Sequence, residues 1–75
     1  MATLLPDAMV RRLLGARLGV ILRQQGVSQQ QLAEQLDVHR SAVSRWCSGE
    51  RDPNPGQLRS ICLLLAIDPA LLLGL

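Results

Sequence analysis

Two helical patterns sit side by side between Ser28 and Ser48, with only Leu36, Asp37, Val38 and His39 separating them. So short a connection cannot carry the chain far, and the two helices must cross at close range over a shared apolar seam. Leu32, Ala33 and Leu36 recur at helical spacing on the first, and Ala42, Val43 and Trp46 share one side of the second. Since each helical residue advances about 100° around the axis, Arg40, Ser41, Ser44 and Arg45 fall on the side facing away. An outward row of polar and basic side chains is what any function must account for.

The punctuation of the chain extends this pattern to both ends. Ser28 followed three residues later by Gln31 is a capping box and predicts a helix from Gln29 to about Leu36. The next helix runs from about Arg40 to Ser48 and is stopped by Gly49, after which Glu50 to Pro53 reads as a polar loop. Asn54, Pro55 and Gln57 form another helix start, and Leu58, Ile61, Cys62 and Leu65 supply the stripe that follows. Upstream, Pro6 and Asp7 open a helix that Gly26 ends, with Val10, Leu13, Leu14, Leu18, Ile21 and Leu22 as its apolar positions. Gly15 and Gly19 both weaken that helix, which predicts another segment packed closely against them. A last helical turn begins at Asp68 and Pro69 and stops at Gly74. The reading is one all-α domain, residues 1–75, of five helices.

Composition agrees with packed helices. Hydrophobic residues make up 48% of the chain, yet there is no Phe or Tyr and only one Trp. The core must therefore be Leu, Val, Ile and Ala, and Leu and Ala are strong helix formers. With 75 residues the chain lies near the lower size limit for a single core and leaves little room for a catalytic cleft. One His, no Tyr and no clustered carboxylates leave no plausible catalytic set, so neither an enzyme nor a cofactor is expected. Cys47 and Cys62 lie inside helical patterns without Cys-x-x-Cys spacing; buried thiols are expected, and with them a reducing compartment. The longest apolar run, Ile61 to Ile67, is too short to span a bilayer and no secretory segment is visible, so a soluble, cytoplasmic protein is expected. All eight basic residues are Arg, against six acids. Their planar forks grip phosphate or guanine edges with paired hydrogen bonds.

The stretch GVSQQQLAEQLDVHRSAVSRWCSGERDPNP resembles the helix-turn-helix of the Cro and phage-repressor type, the xenobiotic-response-element family of transcription regulators. Matching positions are Gln29, Leu32 and Ala33 in the supporting helix, Val43 and Trp46 in the recognition helix, then Gly49 and Pro53. With its flanking helices the resemblance covers roughly residues 14–73. It implies a compact five-helix, lambda-repressor-like domain that binds double-stranded DNA, most simply as a repressor. Carried over by position, it makes Arg40, Ser41, Ser44 and Arg45 the base-contacting residues, with Arg40 in the first turn reading guanine. Gln29, Arg23, His39, Arg51 and Asn54 become phosphate contacts, which position the domain without reading sequence. Three departures stand out. Asp37 occupies a turn position where the family usually has Gly, Cys47 replaces a common acidic residue of an internal salt bridge, and His39 replaces the usual Ser or Thr cap.

The last thirty residues hold more leucine than one small core can hide. Leu63, Leu64, Leu71, Leu72 and Leu75 are expected to form the interface of a two-fold homodimer, unless some of them cover Leu4, Leu5 and Met9. A different class of function remains open: a protein-binding module, such as an antitoxin paired with its toxin or an adaptor that no longer touches DNA.

Overall fold

The chain's computed structural model describes residues 6–73, apart from the side chains of Ala8 and Leu73. Among these residues there are five helices and no strand: α1 (Asp7–Gln25), α2 (Gln29–Leu36), α3 (Arg40–Ser48), α4 (Pro55–Leu65) and α5 (Pro69–Leu73). None of them is long and apolar enough to cross a membrane.

Helix starts follow the expected chemistry. Ser28 Oγ accepts the Gln31 N–H at 3.0 Å while Gln31 Oε1 accepts the Ser28 N–H at 2.8 Å, satisfying two donors that the first turn leaves open. Asn54 and Gln57 repeat the arrangement at 2.7 and 2.8 Å ahead of α4. Asp68 Oδ1 accepts the Ala70 N–H at 2.9 Å and holds the start of α5.

The stops share one geometry. α1 to α4 each end on a residue in the left-handed region: Gly26, Asp37, Gly49 and Ala66, with φ of 69°, 55°, 80° and 53°. In each case the next N–H reaches back to a carbonyl five residues earlier: Val27 to Leu22, Val38 to Ala33, Glu50 to Arg45 and Ile67 to Cys62, at 2.9 to 3.0 Å. Val27, Val38 and Ile67 then turn inward onto the core. Asp37 serves where a glycine was usual, as a residue tolerant of this conformation. Ala66 was not foreseen as a cap, since its β-carbon is disfavoured there by about 1–2 kcal/mol.

The core joins Leu14, Leu18, Ile21 and Leu22 of α1 to Leu32 and Ala33, Val43 and Trp46, Ile61, Cys62 and Leu65, and Leu72. Three expectations need correction. Val10 and Leu13 are each 46% exposed and lie outside this cluster, because the buried face of α1 is centred on Leu14 and Leu18. Leu72 is 1% exposed; it seals the core beneath α5 and cannot serve an interface. Leu75, like Leu4 and Leu5, lies outside the described residues. A polar contact also ties the ends together: Gln25 Nε2 donates to the Leu65 carbonyl at 2.7 Å, linking the last turns of α1 and α4.

α1 and α3 meet backbone to backbone. A β-carbon on Gly15 would collide with the Trp46 carbonyl oxygen and lie 2.7 Å from that of Cys47. On the opposite element, a β-carbon on Gly49 would lie 2.8 Å from Cα and Cγ of Arg12. Gly19 makes no such approach, its nearest neighbour being the Arg23 guanidinium at 3.8 Å, so the expected close packing holds at Gly15 alone. Gly15→Ala should therefore lower stability by about 1–3 kcal/mol, although Ala favours helices, because the α1–α3 contact must open. Ala66→Gly should move the other way, raising stability by up to about 1 kcal/mol by relieving the left-handed turn. Urea unfolding followed by circular dichroism measures both.

Candidate nucleic-acid interface

The two sides of α3 separate as the periodicity requires. Val43 and Trp46 are buried against the core, whereas Arg40, Ser41, Ser44 and Arg45 are all exposed. Trp46 is thus a packing residue that fixes α3 from beneath. Ala33, buried in α2, is small enough to let α3 cross closely above it.

His39 caps α3 in the place of the more usual hydroxyl. Its Nδ1 accepts the Ser41 N–H at 3.1 Å and lies 2.8 Å from Ser41 Oγ. With both donors aimed at Nδ1, the imidazole proton belongs on Nε2. The Ser41 hydroxyl is then committed as a donor inside the protein and retains only its acceptor capacity, which suits a donor group on a base edge and not a phosphate.

Arg45 combines a clamped backbone with an open side chain. Its carbonyl accepts the N–H groups of Glu50 and Arg51 at 2.9 and 3.2 Å, and the Ser48 hydroxyl at 3.0 Å. Its guanidinium Nε lies 3.8 Å from Glu50 Oε2, with both side chains mostly exposed. Such a pair is worth under about 1 kcal/mol and yields readily to a phosphate or a base edge. Arg51 and Asp52 border an open groove with Ala42, Arg45 and Trp46.

Two further candidates, Gln29 and Arg23, lie near Cys47 of α3. Gln29 is half-buried and Arg23 exposed, and both act on Cys47 of α3. Burial raises the Cys47 thiol above its ordinary range, while the Arg23 charge and a hydrogen bond from Gln29 oppose that rise. The thiol therefore sits neutral where the family commonly places an acid, and among the described residues the sole ion pair is Arg45 with Glu50. Asn54 is exposed, but its Oδ1 is occupied by the cap of α4, leaving the side-chain amide N–H groups for a ligand. The Ser41–His39 and Arg45–Glu50 contacts escaped the sequence reading. The two-residue spacing from His39 to Ser41 was the one available signal for the first.

Comparison with known proteins agrees with this geometry. A helix-turn-helix family model matches residues 21–72. Among solved structures, the chain is similar to the restriction-modification controller protein C.AhdI from Aeromonas hydrophila, at 27% identity and a TM-score of 0.76 over 83% of this chain and 94% of that one. It is also similar to the clp gene regulator ClgR from C. glutamicum, at 30% identity and a TM-score of 0.78 over 85% of this chain and 83% of that one. No curated protein sequence matches it significantly.

The cap makes a local prediction. His39→Ala should cost about 0.5–2 kcal/mol by leaving the Ser41 N–H open, and His39→Ser should recover most of that loss. Chemical denaturation of the three proteins compares them directly.

Proposed function

Because the chain belongs to the Cro/C1-type helix-turn-helix family and is a DNA-binding transcription regulator, we propose that it represses transcription by occupying an approximate inverted-repeat operator as a homodimer. The observation that carries this reading is the two-sided α3, with Val43 and Trp46 buried in the core and the opposite row of Arg40, Ser41, Ser44 and Arg45 exposed and basic. In this reading α3 enters the major groove with its first turn deepest, so Arg40 reads a guanine edge and Ser41, Ser44 and Arg45 contact neighbouring bases. Gln29 and the opening N–H groups of α2 hold one phosphate, as helix N-termini attract anions. Arg23, His39, Arg51 and the Asn54 amide hold others.

The dimer rests on α4. Leu63 is 72% exposed and Leu64 is half-exposed, and both border a groove with Leu36, Gln35, Gln57 and Ser60. The polar residues of this groove are uncharged, with Arg59 set on the other side of Leu63, so two identical grooves can meet without repulsion at their centre. Leu71, exposed as well, belongs to a separate groove beside α1. Two α3 helices about 34 Å apart would then face successive major grooves on one side of a duplex.

Selection of bound sites from a random duplex pool should return an inverted repeat with half-sites about one turn apart. A single unpaired half-site would refute the dimeric mode. Arg40→Ala should cost about 1–3 kcal/mol and relax preference at one base position, while Arg51→Ala should weaken all sequences alike. Affinity should fall with salt at a logarithmic slope near 0.9 per phosphate contact, reduced by about one unit in Arg51→Ala. Fluorescence anisotropy across a salt series reads both effects.

A further inference from the structure

α1 carries a second apolar row that the core does not use. Met9, Leu13, Ala16 and Val20 follow one another at steps of four, three and four, which aligns them along one side of the helix. That side lies roughly opposite Leu14, Leu18 and Ile21, and all four residues are exposed. Leu71 of α5, 55% exposed, adjoins it across an open groove of about 360 Å³ lined also by Ala16, Arg17, Val20 and Gln24. Polar residues at these positions would have kept α1 well solvated, so the row is an unsatisfied apolar face.

Charge decides what can cover it. Arg12 borders the row on one flank and Arg17 on the other, both exposed, and no acid occurs anywhere from residue 8 to residue 33. A second copy pairing through this face would bring arginine flanks against arginine flanks, with no carboxylate along this length of α1 to answer them. The neutral groove on α4 has no such bar. A flat anionic membrane would meet the charges but not the concavity between α1 and α5, which suits an inserted row of side chains. We propose that this face docks an amphipathic helix of a different protein, one with an apolar row flanked by Asp and Glu. Met9 to Val20 spans about 17 Å, so three turns of that helix suffice. An interface of this size gives a weak, exchangeable complex, suited to recruiting a partner while α3 is occupied elsewhere.

The test uses the full chain, isotope-labelled, with two designed helical peptides of about 18 residues that share a leucine row and differ only in Glu or Lys flanks. The Glu peptide should bind at least about ten times more tightly than the Lys peptide, with amide shifts concentrated on Leu13, Ala16, Val20 and Leu71. Joint Arg12→Glu and Arg17→Glu replacement should reverse the preference. Val20→Glu, and the milder Leu13→Ser, should weaken binding about tenfold while leaving thermal unfolding and duplex affinity unchanged, which separates this face from DNA recognition. Equal binding of both peptides, no binding of either, or shifts centred on Leu63 and Leu64 would overturn the proposal. Two further results would also overturn it, by naming another occupant. One is phosphatidylglycerol vesicle binding that Val20→Glu abolishes; the other is a Leu63→Asp protein that stays dimeric until Val20 is also replaced.

Discussion

The contact on which the structure turns is the one between α1 and the last turn of α3, made by main chain on both sides. Gly15 admits the Trp46 and Cys47 carbonyls where any side chain would push them away, and Gly49 lies equally close to Arg12. Side-chain packing tolerates small shifts, because rotamers adjust; two backbones in direct contact have no such freedom. The pose of α3 is thereby fixed from beneath by Val43 and Trp46 and from the side by α1. A helix held to one angle presents its exposed arginines in a constant orientation, as the proposed contact with a duplex requires and a tilting helix could not provide.

How much of this was legible in the residues depended on whether the signal was local. Capping boxes at Ser28 and Asn54 bond within four residues, so the starts of α2 and α4 could be read directly. The stops at Gly26 and Gly49 were equally plain, whereas Ala66 adopts the same left-handed turn without the residue type that announces it. Its conformation is imposed by Ile67 docking on the core and by the closure of α4 against Gln25, both of which depend on distant segments. The two rows of α3 were legible because helical periodicity alone separates them. What each exposed side chain touches was not, since His39 with Ser41 and Arg45 with Glu50 depend on rotamers across a cap.

Leucine proved the least readable residue. Leu13 and Leu14 are neighbours in a helix whose apolar residues occupy two sides, and periodicity could not say which side the other helices would cover. Leu71 and Leu72 pose the same difficulty in α5, too short to establish a stripe of its own, and the two diverge completely: one seals the core, the other lies open beside α1. Surplus apolar residues thus mark more than one surface. The groove on α4 is lined by uncharged residues and the row on α1 is flanked by arginines, so the same side chain stands in differently charged surroundings at the two places.

The crowding of donors on the Arg45 carbonyl has an evolutionary corollary. Because the peptide group there is immobilised by Glu50, Arg51 and Ser48 while its side chain stays loose in solvent, replacing that side chain leaves the platform undisturbed. Where such a side chain reads a base, as proposed for Arg45, a duplicated gene could exchange one target sequence for another through mutations there, inheriting an intact scaffold and rewriting only its message.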